Sequence, residues 1–115
     1  MQIKNLTRKI FLAKNAKLCL NIISKSIGLM FSKNPKALVF AFNKEKIVPL
    51  HMLFVFYPID VLFLDKNKIV VEIKRNLMPF SFYKPKRKSK YVIELPCNSI
   101  KKTKTNVGDK IKIIF

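Results

Sequence analysis

The stretch LHMLFVFYPIDVLFLD, residues 50–65, is the longest nearly uncharged run of the chain, and it decides the fold. It is too apolar for simple alternation, which is typical of strands covered on both faces. A residue that precedes proline avoids the helical region, so Tyr57 should be extended. The stretch therefore predicts one strand, His51–Phe56, a bend at Tyr57-Pro58, and a second strand, Asp60–Leu64.

Shorter apolar runs on both sides of this stretch predict further strands. Turn residues separate them, and the last run alternates with period two, as a strand with one exposed face does. We expect residues 10–20 to form a hairpin and the run after residue 68 to return antiparallel to the preceding strand. The predicted strands are Ile10–Ala13, Ala16–Leu20, Ala37–Phe42, Ile69–Lys74, Tyr91–Leu95 and Lys110–Phe115.

Little of the sequence is helical in pattern. Short helices are predicted at Ile22–Ile27, after Asn21 as a cap, and at Ile100–Thr103. Many short strands joined by tight turns predict a mainly β, compact antiparallel sandwich or barrel-like domain with one or two short helices. The 115 residues suit a single domain over residues 1–115, in which the polar residues 1–7 are expected to fray.

The chain is strongly basic. Its 24 Lys and Arg residues face six Asp and Glu residues, a formal net charge of +18. Such a balance fits an acidic partner, for example nucleic acid, an anionic membrane or an acidic protein. It also fits an ordinary lysine-rich soluble surface, because specific phosphate and base recognition uses arginine forks and this chain has three arginines.

Several classes of protein are disfavoured by the composition. No uncharged apolar stretch reaches the ~20 residues that span a bilayer, and no secretory signal is recognisable. One histidine and two scattered cysteines predict neither a metal site nor a cofactor. We therefore expect a cytoplasmic protein that is a monomer or a small homo-oligomer.

Six blocks of the sequence resemble a known family when they are taken in order. The glycine-leucine-methionine and proline-x-aspartate blocks are specific together and weak alone. The blocks are Gly28-Leu29-Met30-Phe31 with Leu38-Val39-Phe40-Ala41-Phe42, His51-Met52, Pro58-Ile59-Asp60-Val61-Leu62-Phe63-Leu64-Asp65, Tyr91-Val92-Ile93-Glu94-Leu95-Pro96, and Val107-Gly108-Asp109. They make the chain similar to domain-of-unknown-function family 192, an uncharacterised family of archaea and bacteria.

The resemblance implies a compact β-rich domain and no established activity, cofactor or catalytic residue. The chain departs from the common family pattern at three positions. His51 replaces a tryptophan, and Leu53 and Phe54 replace a lysine and an asparagine. Any polar site that those residues form in relatives is not expected in this chain.

Two polar residues interrupt the apolar stretch. Asp60 lies between Ile59 and Val61, so its carboxylate must be paired, hydrogen-bonded or protonated. It either accepts backbone N–H bonds that fix the bend or acts as an acid in a pocket. His51 has no triad partner in the sequence and is either a packed or surface residue or a base. The candidate pocket of the chain consists of Met30, His51, Met52, Pro58 and Asp60.

The segment from Phe80 to Lys90 interleaves aromatic and basic residues. Such a segment can stack bases and hold phosphates, or it can be a solvated loop whose aromatic residues pack onto the domain. Its candidate anion-binding residues are Lys84, Lys86, Arg87, Lys88 and Lys90.

Taken together, these features predict a non-enzymatic ligand- or protein-binding module. The alternative is nucleic-acid or anionic-surface binding through the lysines. A hydrolase or isomerase that uses Asp60 or His51 is a third hypothesis.

Overall fold

A computed structural model of the chain describes residues 1–20 and 36–115; the predicted helix at 22–27 and Met30 lie outside the described residues. The described part contains ten strands and one short helix, which mostly coincide with the apolar runs of the sequence. In chain order they are β1 (Gln2–Asn5), β2 (Ile10–Ala13), β3 (Lys17–Cys19), β4 (Leu38–Lys46), β5 (Leu50–His51), β6 (Ile59–Leu64), β7 (Val70–Leu77), β8 (Phe82–Tyr83), β9 (Ser89–Pro96), α1 (Ser99–Thr103) and β10 (Ile111–Ile114).

A five-stranded sheet in the order β3-β4-β9-β6-β7 is the centre of the fold. Every residue of β6 is buried, because this strand lies between β9 and β7 and has both faces covered. β6 is antiparallel to both neighbours, with Val61 opposite Glu94 on one side and Lys74 on the other. The second half of the apolar run thus forms an interior strand, as its unbroken hydrophobicity predicts.

Two hydrophobic clusters cover the two faces of this sheet. On one face, residues such as Val61 and Phe63 pack with Met52 and Val55 from the segment that precedes β6. On the other face, Leu62, Ile93 and their neighbours pack with Ile3 of β1, Ile111 of β10 and Ile100 of α1. The mainly β prediction is confirmed, and the described strands form stacked sheets rather than a closed barrel.

The start of the chain differs from the prediction. β2 does not form a hairpin with β3; it pairs with β1, which also pairs with β10. β3 instead runs parallel to β4, so the central sheet is not purely antiparallel. The short spacing between the two runs predicted a hairpin. Instead, β3 pairs with the edge of β4, where Cys19 lies opposite Phe40 and is buried.

The polar N-terminus, which is expected to fray, is held in the fold by β1. Ile3 and Asn5 are both fully buried. The Asn5 side chain donates hydrogen bonds to Asp109 at 3.0 Å and to Thr105 at 3.1 Å. Arg8 forms an ion pair with the same Asp109 carboxylate at 3.1 Å. Desolvation by burial raises the pKa of Asp109, but the hydrogen bonds from Asn5, the Asn106 N–H and Arg8 outweigh it, so the pKa is lowered overall.

Candidate binding surface

The first half of the apolar run, predicted as a strand over His51–Phe56, leaves the extended conformation after His51. That prediction is wrong, because the chain turns at Leu53-Phe54. Phe54 has a φ of 56°, a left-handed conformation that a bulky residue seldom adopts. The turn directs Met52 and Val55 into the core and leaves the side chains between and after them exposed.

Two segments on this side of the molecule together expose six large apolar side chains. The first is residues 53–56 and the second is residues 78–82, which follow β7. The six side chains are between 40% and 65% exposed, although each belongs to a type that usually lies inside a protein. We call them the apolar surface: Leu53, Phe54, Phe56, Met78, Phe80 and Phe82.

Backbone hydrogen bonds join the two segments. β5 pairs antiparallel with β8, with His51 opposite Phe82. The Met52 N–H donates to the Ser81 carbonyl and the Phe80 N–H donates to the Met52 carbonyl, both at 2.8 Å. Since Met52 is also buried in the core, the apolar surface is tied to the central sheet by backbone and side chain alike.

Three phenylalanine rings of the apolar surface pack on one another. The Phe80 ring meets the Phe56 ring at a centroid distance of 5.5 Å and an interplanar angle of 69°. It meets the Phe54 ring at 6.2 Å and 74°. These edge-to-face arrangements are favourable for aromatic pairs, so the rings form an ordered cluster while they stay exposed to solvent.

The basic loop, defined as residues 84–88, follows directly after β8. Its lysines and Arg87 are exposed. The carboxylate of Glu72 on β7 holds this loop, because one oxygen accepts the N–H groups of Lys86 and Arg87, both at 2.9 Å. The other oxygen accepts the Tyr83 hydroxyl. Desolvation by burial and the hydrogen bond with Glu72 raise the pKa of Tyr83 to about 12, so the phenol remains a donor.

The basic loop contains four of the five residues that the sequence predicts for anion binding. Lys84, Lys86, Arg87 and Lys88 lie on it and are exposed. Lys90 is half-buried on β9, with its ammonium group 5.9 Å from the centre of the Tyr91 ring. The structure therefore brings four of these cations together and places the fifth on a strand.

The residues of the predicted pocket lie in different surroundings. His51 is exposed on β5, and its Nδ1 accepts the Leu53 N–H at 3.4 Å. Met52 is buried and Pro58 is half-buried. Asp60 is 2% exposed on β6, in a different sheet from His51. His51 and Met52 adjoin the apolar surface along the chain.

Both oxygens of Asp60 accept backbone N–H groups. Oδ1 accepts the N–H of Asn76 near the end of β7, and Oδ2 accepts the N–H of Ile100 in the first turn of α1, each at 3.0 Å. The side chain of Asn98, the residue that caps α1, makes no capping hydrogen bond. Asp60 therefore takes part of the role of a helix cap and ties α1 to the central sheet.

Glu94 is a buried carboxyl group whose environment the sequence did not reveal. It is 9% exposed on β9, between Leu38 of β4 and Val61 of β6. Burial raises its pKa to about 7. The residues opposite it on both flanking strands are apolar, so it has no cross-strand partner of opposite charge there. Only the pairing of distant strands could have identified this.

The described residues do not assemble a metal site. Within residues 1–20 and 36–115, no three His, Cys, Asp or Glu side chains lie together in a group that could hold a metal ion. Cys19 is buried and Cys97 is half-buried, and neither forms a disulfide bond. No helix in the same part of the chain is long and apolar enough to cross a membrane.

Comparisons with known proteins give one family and one fold. The family model DUF192, described as Uncharacterized ACR, matches residues 5–113. A UPF0127 protein of Pyrococcus furiosus is 39% identical over 94 residues, 80% of each chain. Another from Pyrococcus abyssi is 38% identical over 96 residues, 82% of this chain and 81% of the relative.

Two crystal structures have a similar fold at low sequence identity. A protein of Sinorhizobium meliloti described as a suspected transcription regulator has a TM-score of 0.86 at 20% identity, over 96% of this chain and 89% of that one. A protein of unknown function from Novosphingobium aromaticivorans has a TM-score of 0.85 at 17% identity, over 97% of this chain and 82% of that one.

Proposed function

We propose that this chain, which belongs to the DUF192 family of uncharacterised proteins, is a non-enzymatic binding module. Its contact face is the apolar surface, with His51 at its margin. The observation that carries the proposal is that six large apolar side chains from two hydrogen-bonded segments are exposed together. Exposed apolar patches of this kind mark interaction sites in soluble proteins.

The rigidity of this surface supports a binding role. A surface that is already ordered loses little conformational entropy when it meets a partner. Here the backbone hydrogen bonds of Met52 and the edge-to-face packing around Phe80 fix the shape before binding. Aromatic residues held in this way are typical of the side chains that contribute most to binding energy.

Three carboxylates, those of Asp60, Glu72 and Asp109, favour binding over catalysis. A general acid or base must have a proton or lone pair free for the substrate. Both oxygens of Asp60 accept backbone N–H groups. One oxygen of Glu72 accepts two backbone N–H groups and the other accepts the Tyr83 hydroxyl. The Asp109 carboxylate is engaged by Asn5 and Arg8. These contacts hold the fold together, which is the role that we assign to them.

A ligand screen with a matched pair of variants tests the proposal. Phe56→Ser combined with Phe80→Ser removes the centre of the apolar surface, and Phe11→Ser removes an exposed ring on β2 as a control. We expect compounds and peptides that raise the melting temperature of the wild type to bind the double variant about tenfold more weakly or worse, since each buried ring contributes ~1.5–3 kcal/mol. Binding to the Phe11→Ser variant should be unchanged.

Chemical-shift mapping of the same ligands locates the contact. The expected result is that shifts cluster at residues 51–56 and 78–82. Ligands that bind the double variant as well as they bind the wild type, or a broad library without a single ligand, would contradict the proposal.

The second candidate function is nucleic-acid binding through the basic loop. It is supported by four exposed cations on a backbone that Glu72 holds in place. Filter binding of single-stranded DNA and RNA at increasing salt tests it, because phosphate contacts release counterions and affinity must fall steeply as salt rises. An affinity that is independent of salt would exclude this candidate.

A further inference from the structure

We propose that the apolar surface and the basic loop together form a peripheral membrane-binding face, whose ligand is the headgroup region of an anionic lipid bilayer. The inference rests on the proposed binding role of the apolar surface. It goes further in naming the partner by its chemistry, which must combine negative charge with an apolar interior.

The partner is inferred to be negatively charged because the six carboxylates of the chain are buried or hydrogen-bonded to the backbone. Asp60, Glu94 and Asp109 are buried. The other three, Glu45, Asp65 and Glu72, accept backbone N–H groups. Within the described residues, one ion pair is formed, between Arg8 and Asp109. The lysines therefore stand on the surface with little carboxylate nearby to neutralise them, and the field around the protein attracts anions.

The apolar part of the partner follows from the composition of the apolar surface. Besides four phenylalanines it exposes Leu53 and Met78, each about half exposed. Aliphatic side chains gain from entering hydrocarbon, whereas a base-stacking platform is made of flat ring faces. The Phe56 and Phe54 rings also pack edge-on against Phe80. This arrangement favours a bilayer over a nucleic-acid strand.

The positions of the two parts match the layers of a bilayer surface. Phe82 is exposed on β8, and Lys84 follows it by two residues at the start of the basic loop. When the apolar side chains enter the boundary between headgroups and acyl chains, the adjoining lysines lie at the level of the lipid phosphates. Interfacial binding of peripheral proteins depends on the same combination of buried apolar area and attraction to anionic lipid.

A second copy of the chain is disfavoured as the occupant. Pairing two apolar surfaces would bring two basic loops together between molecules that each carry a net charge of +18. Repulsion between like charges opposes that association at low salt. An anionic bilayer instead gains from the same charges.

Tryptophan fluorescence offers a direct test, because the chain contains no tryptophan. Phe56→Trp places a single reporter on the apolar surface, and Phe11→Trp places a control on β2. With vesicles of phosphatidylcholine and phosphatidylglycerol, we expect the emission of the first variant to shift to the blue and to be quenched by brominated acyl chains. The emission of the control should not change.

Co-sedimentation with the same vesicles separates the two contributions. Phe56→Ser with Phe80→Ser should weaken binding about tenfold or more. Lys84→Gln, Lys86→Gln and Lys88→Gln should weaken it at low salt by about fivefold for each lysine removed. The same changes at Lys101, Lys102 and Lys104, which are exposed on and just after α1, are the matched control and should have a much smaller effect. Melting curves verify that each variant is folded.

Three results would overturn the membrane inference. The first is binding to vesicles of phosphatidylcholine alone that is as strong as binding to the anionic vesicles. The second is a Phe56→Trp emission spectrum that does not shift when vesicles are added. The third is binding of single-stranded nucleic acid without binding of vesicles. Peptides or compounds that still bind the apolar surface in any of these cases would leave the proposed binding function standing. If neither the vesicles nor any ligand of the screen bound the apolar surface, both the membrane inference and the proposed binding function would be wrong.

Discussion

Asp60→Ala is expected to lower the free energy of unfolding by about 2 to 5 kcal/mol. The substitution leaves the N–H groups of Asn76 and Ile100 without their acceptor. The bond from Ile100 is buried, so water cannot easily replace its lost acceptor, and the unsatisfied donor costs about 1–3 kcal/mol. The bond from Asn76 is only partly buried, so its loss costs about 1–2 kcal/mol. Chemical denaturation monitored by circular dichroism measures the loss.

Asp65→Ala is the matched control for this experiment. Asp65 also accepts two backbone N–H groups, from Asn67 at 2.8 Å and Ile69 at 3.0 Å. It is only half-buried in a turn, so water can take its place and we expect a loss of about 1 kcal/mol or less. Equal losses in the two variants would show that the burial of Asp60 is not what makes its hydrogen bonds important. If the Asp60→Ala variant were as stable as the wild type but had lost a catalytic activity that the wild type shows, Asp60 would be an acid in a pocket and not a structural residue.

The strands could be predicted where apolar residues run without interruption and are buried by neighbours on both sides. β6 and the first half of β4 are largely of this kind, and their positions in the sequence were clear. The same reasoning failed at residues 51–56, since an unbroken apolar run does not say which side chains point inward. The left-handed turn at Phe54 determines which of these side chains point inward. A phenylalanine seldom adopts this conformation, so the sequence does not indicate it.

One of the two segments that form the candidate site could be predicted from the sequence and the other could not. The mixture of aromatic and basic residues in residues 80–90 is local, so it was visible in the sequence. Its partner segment, residues 53–56, was hidden inside what looked like a core strand. The hydrogen bonds between Met52 and residues 80–81 that join the two segments link positions almost 30 residues apart, and register of this kind is set by the fold rather than by local pattern.

The sequence also explains why charge dominates the exterior. The chain has only six acidic residues. Five of them accept hydrogen bonds inside the fold or at a turn or loop, and the sixth, Glu94, is buried on β9. Asp60 holds α1, Glu72 holds the basic loop, and Asp109 holds the N-terminal strand. Few carboxylates remain to face solvent, so the exposed lysines of residues 1–20 and 36–115 form no ion pair with a carboxylate.

Glu94 is expected to make the stability of the protein fall as the pH rises from about 4.5 to about 7. Burial raises its pKa from 4.5 in its ordinary state to about 7 in the folded protein, so in this window the folded chain binds a proton that the unfolded chain has released. Stability therefore decreases with increasing pH, and the contribution is constant below and above the window. Since one pKa unit equals about 1.4 kcal/mol, the total effect is about 3 kcal/mol.

Glu94→Gln isolates this contribution because glutamine has a similar shape and does not titrate. Its free energy of unfolding, subtracted from that of the wild type at each pH, should give a curve that falls by about 3 kcal/mol across the window. Lys74, on the next strand but one, forms no ion pair with Glu94; its ammonium group lies 5.5 Å from the centre of the Tyr83 ring. Glu45→Gln, a change at a half-buried carboxylate whose oxygen accepts the Lys66 N–H, is the control and should leave this slope in place. A flat difference curve for Glu94→Gln would mean that the carboxyl group is solvated or paired in solution, and the raised pKa of Glu94 would then be wrong.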